Sequence, residues 1–323
     1  MVKAGVVGVG SMGRHHARVY AELPDVDLVG VADVDADRAR EVAREHDTEA
    51  LSFEALLSAA EAVSVAAPTP HHADLTWRAL GDGVHVLVEK PFVDDPATGR
   101  ELVRRADDRD LVLQVGHVER FNPAIRVLED VLAGAEVLAV DARRLGPPID
   151  RELGDSVVRD LMIHDLDVVL SLLEGEVEST AAARAAETPH VDATVTFETG
   201  VLASLTASRI TERRMRRLAV TTEEFRADVD YMTQSVEIHR RSLPEYVETG
   251  GDVRYRNETV VERPMVENGE PLKGELESFT AAVRNGDTPL VTGEDGLRAL
   301  ELANRIDRRA TETTPREVTF PSS

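Results

Sequence analysis

Residues 2–13 read Val-Lys-Ala-Gly-Val-Val-Gly-Val-Gly-Ser-Met-Gly, an apolar run that breaks into glycines at Gly8, Gly10 and Gly13. The run predicts a buried strand over 2–9, and the residues after it predict a helix over 12–23. A Gly-x-Gly-x-x-Gly spacing is weak alone and gains meaning from that strand and helix. Gly8 permits the tight turn, Gly10 lets the backbone approach a pyrophosphate, and Gly13 lets helix and strand pack closely. The helix start at Ser11 and Met12 offers unpaired N–H groups and the positive end of a dipole to phosphates. A second strand over 26–33 ends on Asp33, twenty residues after Gly13. A carboxylate there accepts hydrogen bonds from ribose hydroxyls and repels a 2′-phosphate, which favours NAD over NADP. The competing reading is a glycine turn beside an aspartate that merely caps the helix predicted over 36–45.

Outward from this unit the alternation continues. Strands over 62–68, 84–89 and 111–116 are separated by helices near 71–80 and 96–109. Apolar runs joined by helical crossovers predict a doubly wound parallel sheet covered on both faces, a Rossmann-type domain over 1–120. The rhythm then changes. A helix over 123–132 and a strand over 137–145 lead through a Gly/Pro loop to a helix over 158–173. Strand-like segments follow over 177–184, 191–198, 200–209, 217–222 and 224–231, with helices over 276–283 and 293–311 closing the chain. Turn-length gaps predict an open, mostly antiparallel sheet in a second α/β domain over 121–323. The polar stretch 240–270 gives no firm element.

Of the 323 residues, 42% are hydrophobic and 30% charged, a globular mixture. No apolar run reaches the roughly 18 residues of a membrane helix, and the start lacks the layout of a secretory signal, so no membrane contact and a cytoplasmic location are expected. With no cysteine, thiolate chemistry and cysteine-type zinc sites are excluded. A net charge of −23 argues against nucleic acid as partner. The cations are almost all arginine, with lysine only at Lys3, Lys90 and Lys273. An acidic, lysine-poor composition points to a halophilic setting, where molar salt screens self-repulsion over about 3 Å.

Lys90 stands in Glu89-Lys90-Pro91 at the carboxyl end of a predicted strand, the edge of an open sheet where ligands bind. In a chain that otherwise writes arginine, a lone lysine is consistent with a need for an ammonium of tunable pKa; chance placement on the surface is the alternative. Asp160 and His164 lie four residues apart in Arg-Asp-Leu-Met-Ile-His-Asp-Leu-Asp. On a helix that spacing puts both on one side. A histidine titrating near neutrality suits removal of an alcohol proton, with Asp160 orienting it and Lys90 stabilising alkoxide charge. Asp165 and Asp167 are expected to be structural or substrate-side. No metal is expected, because His71 and His72 are adjacent and His117 and His164 lack a carboxylate set with ligand spacing.

Gly8, Gly10 and Gly13, Asp33 and Glu89-Lys90-Pro91 together resemble the Gfo/Idh/MocA family of nicotinamide-dependent sugar and polyol oxidoreductases. The resemblance implies a Rossmann domain followed by an open-sheet α/β domain, with Lys90 beside the nicotinamide and the reacting hydroxyl. It also implies that Pro68, Thr69 and His72 form the loop beside the cofactor and that Glu89 lies near it; for His72 a solvated helix-start ring is the alternative. Trp77, the only tryptophan, is expected in the core.

Gly116-His117-Val118-Glu119-Arg120-Phe121-Asn122-Pro123 resembles the branch of that family acting on UDP-N-acetylglucosamine at C3. His117, Arg120 and Asn122, with Asp160 and His164, are the substrate-binding residues it implies. Arg209, Arg213, Arg214, Arg216 and Arg217 form the densest basic cluster. They could meet a diphosphate, balance acidic neighbours or line a subunit interface. A homodimer or homotetramer is implied by the resemblance alone. A free-sugar, inositol or trihydroxy-acid dehydrogenase would keep the same lysine, aspartate and histidine, and a non-catalytic NAD-binding regulator would use the same fold.

Overall fold

The computed structural model describes residues 1–148, 155–186, 188–241, 245–249, 252–256 and 259–312. The chain begins with β1 (Val2–Val7), α1 (Ser11–Glu22), β2 (Val26–Ala32), α2 (Ala36–Glu45), α3 (Phe53–Ala59) and β3 (Ala62–Val65). There follow α4 (His72–Gly81), β4 (His85–Glu89), α5 (Pro96–Asp107) and β5 (Leu113–Gly116). The five strands form one parallel sheet in the order β2-β1-β3-β4-β5. β3 and β5 are buried at every position, as expected of strands with helices on both faces. Val86 and Val88 join the apolar cluster on one face with Leu80 and Leu102, whereas Leu87 joins Tyr20 and Phe279 on the other. Polar caps set the helix starts: Asp35 accepts N–H bonds from Asp37 and Arg38, Ser52 from Ala55, and Asp95 from Thr98. The strand order reverses at β1, with β2 on one side and β3 on the other. Ligands of open α/β sheets bind at the carboxyl ends of strands that flank such a reversal.

The chain continues through α6 (Pro123–Leu132), β6 (Val137–Leu145), a π-helical turn (Val158–Met162), α7 (Ile163–Leu172), β7 (Val177–Arg184), β8 (His190–Phe197) and β9 (Leu202–Ser208). Then come β10 (Met215–Thr222), β11 (Phe225–Asp230), β12 (Ser235–Arg241), β13 (Glu245–Thr249), β14 (Asp252–Arg256) and β15 (Thr259–Glu262). Eight of these strands form a sheet in the order β15-β12-β11-β10-β6-β9-β8-β7, and β13 pairs with β14 separately. Every pair in the large sheet is antiparallel except β6 with β9. Val191, Ala193, Val195 and Phe197 of β8 are buried while their neighbours reach the surface, the alternation of a sheet packed on one face. The chain closes with α8 (Pro271–Asn285) and α9 (Gly293–Glu312). Among the described residues no helix is long and apolar enough to cross a membrane.

Two compact units result, Met1–Phe121 with Gly269–Leu302, and Asn122–Asn268 with Ala303–Ser323. The expected domains, 1–120 and 121–323, make a single cut; by contact the chain divides after Phe121, Asn268 and Leu302, with residues 269–302 in the first unit. The cause is packing. Leu272, Leu276 and Phe279 of α8 enter the cluster around Tyr20, and the Val115 N–H donates to Val291 O at 3.3 Å. A Cβ at Gly296 would stand 2.5 Å from Val115, so glycine lets α9 lie against β5. The amphipathic pattern announces such helices without saying which sheet they cover. The structure also adds α3, β12 and, in the polar stretch 240–270, the strands β13 to β15. Trp77 is a correction: it is 42% exposed, with the Arg105 guanidinium 4.0 Å above its ring, because its place on α4 turns outward.

Candidate active site

The glycine turn follows β1. Gly8 has φ 84°, and a Cβ there would lie 2.7 Å from Ala67 N; a Cβ at Gly13 would lie 1.8 Å from Gly8 O. Neither position admits a side chain. A Cβ at Gly10 would meet nothing within 4 Å, so the space in front of the helix is open. α1 starts at Ser11 without a side-chain cap, leaving its first N–H groups for an anion. Asp33 Oδ2 accepts the Val9 N–H at 2.8 Å and Oδ1 the Asp35 N–H at 2.8 Å, with Arg38 Nη1 3.5 Å from Oδ1. A carboxylate has about four acceptor positions, so some remain for ribose hydroxyls. The cap of α2 is Asp35, which removes the competing reading of Asp33. An open, uncapped helix start beside a fixed acid fits the pyrophosphate and ribose of NAD.

Pro68 is exposed and Thr69 half-buried, where the chain turns after β3. His72 is 1% exposed, its Nδ1 lying 2.9 Å from Pro91 O and its Nε2 2.8 Å from Ala67 O. The ring is not solvated; it ties the loop after β3 to the one after β4. Glu89 ends β4 and Lys90 follows it, with a cis Lys90-Pro91 bond. Lys90 is half-buried. Glu89 is 8% exposed, and its Oε1 lies 2.9 Å from His16 Nε2. Burial pushes the Glu89 pKa upward, but the His16 hydrogen bond and charge, then the Lys90 ammonium, outweigh it and hold the carboxyl below its usual range.

His117 follows β5 and is 1% exposed. Burial, with the charges of Lys90 and Arg120 adding to it, lowers its pKa to about 3. The ring is neutral at pH 7, and neither ring nitrogen has a hydrogen-bond partner among the described residues. Arg120 is half-buried. Asn122, 2% exposed, is committed to the fold: Oδ1 accepts the Ala124 N–H at 3.1 Å to cap α6, and Nδ2 donates to Tyr231 O at 3.2 Å.

In the second unit Asp160 lies on the π-helical turn and His164 on α7, both half-buried. The continuous helix expected over 158–173 is thus π-helical in its first turn; such insertions are frequent at functional sites. Asp160 forms an ion pair with Arg209, just beyond β9 and 7% exposed. Arg209 is accordingly a partner of Asp160 instead of a free member of the basic cluster, whereas Arg213, Arg214, Arg216 and Arg217 are exposed. Asp165 takes a two-pronged bond from Arg144, with Nε and Nη2 each at 2.9 Å. Asp165 and Asp167 are each 2% exposed, and the Arg144 bond ties Asp165 to β6. Nothing in the spacing signals the Arg209 and Arg144 partners, which come from β-strand neighbours.

A reversed parallel sheet, an open glycine turn and an acid after β2 define the class of NAD-binding oxidoreductases. Residues 2–117 match the oxidoreductase family with an NAD-binding Rossmann fold, and 139–227 match the Gfo/Idh/MocA C-terminal domain. The chain is 36% identical to UDP-N-acetylglucosamine 3-dehydrogenase of Acidithiobacillus ferrooxidans over 94% of this chain and 96% of that one. A solved structure of that enzyme superposes with a TM-score of 0.89 at 33% identity, covering 98% and 99% of the two chains. Inositol 2-dehydrogenase of Rhizobium meliloti is 29% identical over 96% and 97%. The chain belongs to the Gfo/Idh/MocA family.

Proposed function

We propose that the protein oxidises the C3 hydroxyl of UDP-N-acetylglucosamine to a ketone with NAD. The observation that carries the choice of substrate is the 36% identity to the UDP-N-acetylglucosamine 3-dehydrogenase across nearly the whole of both chains. The 29% identity to an inositol 2-dehydrogenase makes a cyclic polyol the second reading.

Gly8, Gly10, Ser11, Met12, Gly13, Asp33, Pro68 and Thr69 hold the dinucleotide, with His72 and Glu89 bracing that edge from behind. NAD bound there supplies the two-electron acceptor. His164 takes the hydroxyl proton, and Asp160, clamped by Arg209, steadies its ring. The Lys90 ammonium stabilises the negative charge that develops on the oxygen. His117 contributes a neutral, buried ring on the substrate side, and Arg120 a cation for phosphate. Assembly as a homodimer or homotetramer, in a salt-rich cytoplasm, completes the proposal.

The test is product analysis. With NAD and UDP-N-acetylglucosamine the purified protein should yield NADH and a 3-keto sugar nucleotide; turnover of an inositol alone would replace the substrate assignment with the second reading.

A further inference from the structure

We infer that His16 is a positioning residue for Lys90, acting through Glu89, an inference that rests on the role proposed for Lys90. His16 lies on α1, one turn after Gly13, and is 0% exposed. Glu89 is held ionised, so the 2.9 Å contact is a bond from His16 Nε2–H to Glu89 Oε1. Glu89 Oε2 in turn accepts the backbone N–H of Lys90 at 3.2 Å. Gly116 makes room for this carboxylate, since a Cβ there would stand 3.1 Å from Glu89 Oε2. One buried, charge-assisted bond therefore ties the helix that opens the glycine turn to the peptide that carries Lys90. A change at α1 is felt at Lys90 because the linking groups have no water to exchange with.

Glu275 of α8 completes the cluster: one ligand atom from each of His16, Glu89 and Glu275 lies within 4.8 Å of the others, all three residues buried. These donor types could also hold a divalent cation. The hydrogen-bond length between His16 and Glu89 and the contact of Glu89 with the Lys90 backbone favour a proton-bridged brace over a metal.

Because lysine occurs only at Lys3, Lys90 and Lys273, competitive reductive methylation read by peptide mass reports Lys90 against two internal controls and needs no substrate. In His16→Leu the labelling of Lys90 relative to Lys3 and Lys273 should change by about threefold or more, while His16→Gln, which retains an N–H donor, stays near wild type. With an oxidisable substrate, kcat should fall about tenfold in His16→Leu with the KM for NAD within about twofold. If His16→Leu does not fold, Glu89→Gln supplies the comparison and should shift Lys90 labelling in the same way. Unchanged Lys90 labelling, or equal damage in His16→Gln and His16→Leu, overturns the inference. So does stoichiometric divalent metal in the purified wild type that is lost in His16→Leu. Failure to oxidise UDP-N-acetylglucosamine would sink the substrate proposal and leave the labelling result standing.

Discussion

The edge of the first sheet and the π-helical turn of the second unit solve different problems with different means. In the cofactor site proposed at Gly8, Gly10 and Gly13 the backbone itself is the binding surface, and the missing side chains are the device. In the role proposed for Asp160 and His164 the side chains are the device, and Arg209, just beyond β9, pairs with Asp160. Backbone chemistry is written in local spacing. Charge chemistry is written in partners that are far apart along the chain.

The contrast is most sharply tested at Lys90, where a side chain stands at the backbone-built edge. Lys90→Met should lower turnover by about a thousandfold or more while leaving NAD affinity within about threefold, measured by steady-state kinetics and by fluorescence titration. Equal losses in both would make Lys90 part of the cofactor cradle. In the second unit the charge partners should matter to stability. Arg144→Met strands the Asp165 carboxylate, each side chain of the pair being 3% exposed, and should cost about 3–5 kcal/mol in denaturant unfolding. A loss below about 1 kcal/mol would mean that water or another group takes over.

Asp33→Asn keeps the shape of the acid and removes its charge. NAD should bind with a dissociation constant about ten times larger, and the preference for NAD over NADP should narrow. The smallest effect at neutral pH belongs to His117. Its folded pKa of about 3 lies below the ordinary histidine value of about 6.5 in an unfolded chain. As pH falls from about 6.5 toward 3 the unfolded chain binds a proton that the folded one refuses, so stability present above that window is lost within it. His117→Gln should flatten the fall in stability across those pH values and change little at pH 7; an unaltered slope would show that other groups carry it.

The local logic extends to what was readable. α6 and α2 lie where the periodicity puts them, because each keeps one regular apolar face; β6 is found where its alternation puts it although its inward face ends on the buried Arg144. The Phe53, Leu56 and Leu57 of α3 make too short a repeat to signal a helix. β12 to β15 lie in a polar stretch whose pattern signals no strand. Motif position predicts His72 beside the cofactor and Asn122 at the substrate, yet both side chains are buried and bonded to the fold. A motif gives a residue's place in the chain; the direction in which its side chain turns depends on packing.

The amino-acid order alone determined the doubly wound sheet, the glycine turn with Asp33, and the position of Lys90 at a strand end, because each depends on neighbours within a few tens of residues. Only the tertiary structure decided that residues 269–302 rejoin the first unit, that Asp160 meets Arg209, and that His16 and Glu89 share a buried hydrogen bond. These are contacts between segments separated by many residues of chain. Such pairings are selected by the fit and desolvation of whole surfaces, a property that no local pattern carries.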